Sequence, residues 1–211
     1  MQELVQRKRA RPLLPFFRAR WLDVLAACLW ALLVGLRLAL FLANPSALQG
    51  GLILFNLMIV ALFILRRLAR AQGSRGVFWL AAGATFLPVV ALRPVGGGSP
   101  EAGLALQSLG LAIMVVALVF LNRSFGIAPA HRGLVTAGPY RVVRHPLYAS
   151  EAVHFAGYCL GYLSLWNASV LAAILIAITL RIRAEETLLR ADEAYRVYQD
   201  RVRWRLLPGV W

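Results

Sequence analysis

Acid is scarce in this sequence. Its 211 residues carry 9 Asp+Glu against 23 Lys+Arg, a formal net charge of +14. Charge of either sign is scarce too: only 15% of residues are charged, where a soluble domain has about a quarter. That deficit argues against an ordinary water-soluble enzyme. Cysteine is limited to Cys28 and Cys159, both inside apolar runs. There is no CxxC pair, no zinc spacing and no disulfide framework, so both read as small buried hydrophobes. The three histidines, His131, His145 and His154, lie 14 and 9 residues apart. Those separations match no ligand motif, and no metal site is expected.

What abounds is hydrocarbon. The chain is 60% hydrophobic, with a mean hydropathy of +0.68. Disorder needs the reverse composition. A nucleic-acid binder would explain the basic charge but has no need of an oily majority. A membrane protein with cationic loops explains both.

A membrane helix needs about 20 mostly apolar residues. Candidate spans are Leu22 to Leu42, Gly51 to Leu65, Val77 to Leu92 and Ala102 to Leu121. The second and third are short and must borrow flanking residues. Arg37 lies near the end of the first, where its long side chain can snorkel to the interface. A fifth run, Leu147 to Leu180, has 34 residues with Glu151 as its only formal charge. As one helix it would be about 51 Å long, too long for a core of roughly 30 Å. Split at Ser164-Leu165-Trp166-Asn167 it becomes a helical hairpin that either spans twice or enters partway. The stretch from Arg181 to Arg203 is polar but periodic. Leu188, Ala191, Tyr195, Tyr198 and Val202 form one helical stripe. It reads as an amphipathic helix continuing from the last span, either lying on the membrane or capping the protein.

The arginines alternate with the spans. Residues 1–20 hold six Lys/Arg, 66–76 four, 122–146 four and 181–211 seven, whereas 43–50 holds none and 93–101 one. The positive-inside rule places both termini, 66–76 and 122–146 in the cytoplasm. Orientation and anionic headgroups account for the positive charge, and no nucleic-acid partner is expected. The fold class expected is all-α: a polytopic membrane helix bundle of five to six membrane helices. It forms one membrane domain over 1–211, with N-terminal helices in 1–121 and a catalytic, cofactor-binding region in 122–211. If the source is bacterial, the location is the inner membrane. The lipid bilayer is the one partner the composition implies, and oligomeric state stays open.

Polar chemistry gathers at the expected cytoplasmic side. Residues 122–148 contain His131, the turn signals Gly133 and Gly138-Pro139, Tyr140, and Arg144-His145-Pro146-Leu147-Tyr148. Pro146 suits the first position of a helix, with His145 at its N-cap. The free N–H groups there favour an anion such as a carboxylate. Arg181, Glu185 and Glu186 end the last span on the same side. Singly, each residue has a plain structural reading: membrane anchors for the arginines, interfacial belt for Tyr140 and Tyr148, solvated ion pairs for the two glutamates.

Together they form a pattern. Leu134-Val-Thr-x-Gly-Pro-Tyr140, then Arg144-His-Pro-x-Tyr148, then about 30 apolar residues, then Arg181-Ile-x-x-Glu185-Glu186 and Tyr195-x-x-Tyr198 resembles the isoprenylcysteine carboxyl methyltransferase family. It also resembles the wider membrane methyltransferase group that includes phospholipid methyltransferases. The resemblance covers roughly residues 120 to 208. It implies methyl transfer from S-adenosylmethionine to a lipid-like or small amphipathic acceptor, with carboxylate O-methylation foremost. It further implies that His131, Leu134, Val135, Tyr140, His145, Pro146, Leu147, Tyr148 and Glu185 contact the cofactor, with Arg132 or Gly133 as alternatives to His131. Arg181 would face the acceptor, and Arg144 or Arg181 can pair a carboxylate. Glu151 completes the catalytic candidates, as an intramembrane acid about 9 Å along the helix from His145. It would serve an amine acceptor as a base, or pair Arg144 or Arg181. Membrane sterol reductases share an Arg-His-Pro-x-Tyr-x-x-Glu pattern and use NADPH, so a reductase is the second enzyme reading. A non-catalytic membrane protein with a degenerate site is the third.

Overall fold

The computed structural model describes residues 13–67, 69, 71–127 and 130–211, with side chains described from residue 23 onward and not at 71 and 72. Among them are seven α-helices: α1 (Leu13–Ala43), α2 (Ala47–Leu65), α3 (Arg75–Ala91), α4 (Pro100–Leu121), α5 (Pro146–Gly161), α6 (Leu165–Leu189) and α7 (Glu193–Arg201). The only sheet among the described residues is a short antiparallel pair, β1 (Ala71–Gln72) with β2 (Ala130–His131). Four helical stretches are long and apolar enough to cross a membrane: Asp23–Ala43, Ala47–Leu65, Pro100–Ser124 and Leu165–Leu189. α3 and α5 are shorter. The all-α membrane bundle expected from composition is the observed fold.

Serine caps define where the helices begin. Ser46, Ser74 and Ser164 each accept a hydrogen bond from the backbone N–H three residues on, at 3.2, 3.4 and 3.2 Å. The caps satisfy N–H groups that have no helical partner. They also show how the short apolar runs gain length: α2 recruits Ala47–Gly50, and α3 recruits Arg75 and Gly76.

The hairpin of α5 and α6 reaches the far end of the bundle from the arginine-rich connections. Asn167, fully buried, accepts from Arg93 N–H at 3.2 Å and donates to the carbonyls of Arg93 and Tyr162, both at 2.8 Å. The Trp166 indole donates to the Ala91 carbonyl at 2.8 Å. The hairpin turn is thereby tied to the α3–α4 connection.

Close approach of α4 and α5 rests on glycine. A Cβ at Gly110 would sit 2.6 Å from His154 N, and one at Gly157 2.5 Å from Gln107 N. Small residues at helix contacts let backbones meet in a membrane, where lipid offers no hydrophobic drive for association. The aromatic cluster of Trp30, Phe63 and Phe125 joins α1, α2 and the chain after α4.

One expected element is corrected. The stripe from Arg181 to Arg203 is not one continuous helix. α6 stops at Leu189, and α7 restarts with Asp192 as its cap, whose carboxylate accepts from Ala194 N–H at 2.9 Å. The break turns Tyr195, Tyr198 and Val202 inward, where they pack with Leu134 and Leu189. The segment caps the bundle.

Candidate functional site

The site begins with the start of α5. Proline at its first helical position places His145 at the N-cap, outside the helix. The chain entering it is held by a second strand of backbone: Arg144 N–H donates to the Trp204 carbonyl and His145 N–H to the Arg205 carbonyl, both at 2.9 Å. Residues 202–206 therefore buttress the Arg-His-Pro corner.

Beneath that corner lies Glu186, 2% exposed. Its Oε1 accepts from Arg144 Nε at 2.8 Å and sits 3.3 Å from His145 Nε2. Its Oε2 accepts from Arg205 Nε at 3.0 Å, Gln199 at 3.3 Å and Arg190 at 3.4 Å. Arg144 Nη1 donates to the carbonyls of Val202 and Arg203, at 2.7 and 2.8 Å. A buried carboxylate is tolerable only when paired and bonded in this way. The reading of Glu186 as a solvated surface charge is corrected on these contacts.

The cavity opens on the other side of the corner. It has a volume of about 110 Å³. Tyr140, His145, Tyr148 and Glu185 line it together with Leu134 and Val135. Tyr148 donates its hydroxyl to Glu185 at 3.1 Å. Arg181 stacks over the Tyr148 ring at 4.7 Å, donates to the Ile127 carbonyl at 3.2 Å and lies 3.8 Å from Glu151. Glu151 thus pairs with Arg181 and not with Arg144. Leu147 and Arg144 also reach the wall.

Two of the residues named from the sequence stand outside the cavity wall. Pro146 shapes the helix start. His131 places its Nε2 2.7 Å from Asp192 Oδ2, so it braces the start of α7. Arg132 and Gly133 line the cavity in its place.

The turn that carries Tyr140 explains its sequence. Gly138 has φ +58°, and a Cβ there would lie 2.6 Å from the Phe120 ring. Only glycine takes both the left-handed backbone and the contact without strain. Tyr198 then locks the turn by donating its hydroxyl to the Tyr140 carbonyl at 2.6 Å. Burial raises the Tyr198 phenol to about 12 and pushes those of Tyr140 and Tyr195 higher still. All three stay neutral donors at physiological pH. Arg132 is lowered to about 10, first by burial and then by the neighbouring Arg66 cation.

Residues 102–196 match the family model of the phospholipid methyltransferases. The matched segment runs from α4 into α7 and contains both blocks of polar residues. The segment, a little under half of the chain, is similar to a membrane methyltransferase domain. No curated protein matches the chain. The cavity also draws on helices before the matched segment: Ile59 of α2 and Thr85 of α3 lie in its wall. Nothing in their apolar surroundings marked them. Arg132, Tyr195 and Tyr198 also line it. The Tyr-x-x-Tyr spacing marked the two tyrosines, though for the resemblance and not for the cavity.

Proposed function

We propose that the protein transfers a methyl group from S-adenosylmethionine to a lipid-like or small amphipathic acceptor at the cytoplasmic membrane face. One observation carries the reading: a single cavity is lined both by polar side chains and by apolar residues of the membrane helices. Tyr140, His145, Tyr148 and Glu185 line it together with Ile59, Thr85 and Leu121 from three helices of the membrane bundle. A water-soluble donor and an oily acceptor need that junction.

The residues present suit the donor. Buried hydrogen-bond donors without a partner, Arg132 Nε and the Tyr195 hydroxyl, line the same space as the Glu185 carboxylate, and S-adenosylmethionine bears carboxylate, ammonium and ribose groups to meet them. When bound, it supplies a methyl on a sulfonium: the S–C bond breaks as the acceptor forms its own bond to carbon, leaving a thioether. With a carboxylate acceptor no proton moves, and the product is a neutral ester. The protein's part is then positioning and charge. Glu185 accepts hydrogen bonds from the donor. Arg181, nearly buried and already oriented by Tyr148 and Glu151, holds the acceptor carboxylate. Arg144, with Nε held by Glu186 and Nη1 by two carbonyls, acts as a positioning residue.

A second reading is N-methylation of a phospholipid amine, which the family match favours. There Glu151 would take the proton that the ammonium must lose. A labelled-methyl assay with prenylcysteine, phospholipid and quinone-like acceptors separates the two. Base-labile label supports O-methylation, and base-stable label in a phospholipid supports N-methylation. NADPH oxidation without label transfer would move the protein to the reductase class.

A further inference from the structure

Three buried polar atoms with no hydrogen-bond partner line one cavity: Arg132 Nε, Arg181 Nε and the Tyr195 hydroxyl. An orphaned buried donor carries an uncompensated desolvation cost. Such groups persist where a ligand completes them. Arg181 is paired with Glu151. The other two lie near each other in the fold, because Tyr195 packs against Leu134, two residues after Arg132. Tyr195 is 2% exposed, so bulk water does not serve its hydroxyl. Glu185, on the same cavity, exerts its charge on both Arg132 and Tyr195.

A cation, a neutral donor and a carboxylate side by side are the complement of a zwitterion. A carboxylate alone would be repelled by Glu185; an ammonium alone would be repelled by Arg132. A ligand that carries both groups on one carbon satisfies all three. We propose that Arg132 and Tyr195 form the subsite for the carboxylate of the donor's amino-acid arm, with Glu185 facing its ammonium. This rests on the reading that the donor is S-adenosylmethionine. It gives work to two side chains that lie outside the Leu-Val and Arg-His-Pro blocks. It also accounts for a half-buried arginine held beside another cation.

The test is calorimetric titration of the purified full chain with two ligands. S-adenosylhomocysteine keeps the carboxylate and ammonium; 5'-methylthioadenosine lacks both. Arg132→Gln should weaken S-adenosylhomocysteine by about tenfold or more and Tyr195→Phe by about fivefold, the sizes of a lost charged and a lost neutral hydrogen bond. Neither should change the affinity for methylthioadenosine. Unfolding of the ligand-free Tyr195→Phe protein should occur at the same or a higher temperature, because an orphaned hydroxyl is removed. Equal losses for both ligands, or no loss for either, would overturn the subsite while leaving the donor reading intact. Failure of the unsubstituted protein to bind either ligand would overturn both.

Discussion

Arg144 and Glu186 meet through a 2.8 Å contact between side chains that are 4% and 2% exposed. They lie 42 residues apart in sequence. The contact joins the start of α5 to the end of α6 and gathers Gln199 and Arg205 around the same carboxylate. Breaking a buried pair of this kind strands the partner charge and costs about 3–5 kcal/mol. Glu186→Ala should therefore lower the unfolding temperature strongly in detergent. Glu185→Ala, beside it on the helix, removes one acceptor, that of the Tyr148 hydroxyl, so it should lower the unfolding temperature much less and instead abolish donor binding. Matching losses in both measurements for both variants would show that the two acids do not divide the work.

Asn167 offers a control at the far end of the bundle. Its amide serves Arg93 and Tyr162 and cannot be replaced by water in a buried turn. Asn167→Ala should cost about 2–4 kcal/mol of stability, as several buried polar groups lose partners. Donor affinity of the folded fraction should not change. A large change in affinity would mean that the two ends of α6 are coupled.

Arg181 divides binding from turnover. Its contacts run to Glu151, Ile127 and the Tyr148 ring. Arg181→Ala should reduce kcat/KM for the acceptor by at least about tenfold, the size of one charged hydrogen bond. Donor affinity should fall less than about threefold. Equal losses would remove its assignment to the acceptor.

A pH dependence follows from Arg132. Its ionisation is held at about 10 in the folded chain, well below the ordinary arginine range. The folded state therefore sheds this proton before the unfolded state does. Stability should rise with pH from about 10 upward, until the unfolded chain's arginine also titrates, and the Arg132 cation weighs against the fold below that interval. Arg132→Gln should raise the unfolding temperature near neutral pH and flatten that alkaline rise. A lower unfolding temperature for the variant would mean that the cation stabilises the fold.

The spans were legible because hydropathy needs only a window of neighbours. The alternating arginines and Pro146 at the start of α5 were legible for the same local reason. What escaped was long-range. Glu185 and Glu186 are adjacent in sequence, but consecutive helical residues point about 100° apart. One therefore lines the cavity while the other is buried beneath the Arg-His-Pro corner. Nothing local says which is which. The break at Asp192 hid inside a stripe whose period continues across it, since a cap and a stripe residue can alternate without disturbing the pattern. Thr85 escaped because an apolar run does not say which side meets a cavity.

The central claim is that the cavity holds a sulfonium methyl donor among its polar and apolar lining residues. The most direct measurement is binding of S-adenosylhomocysteine and of NADPH to the purified protein, with Glu185→Ala alongside. Saturable binding of S-adenosylhomocysteine that Glu185→Ala removes, with none of NADPH, is the expected result. Binding of NADPH without S-adenosylhomocysteine would contradict it.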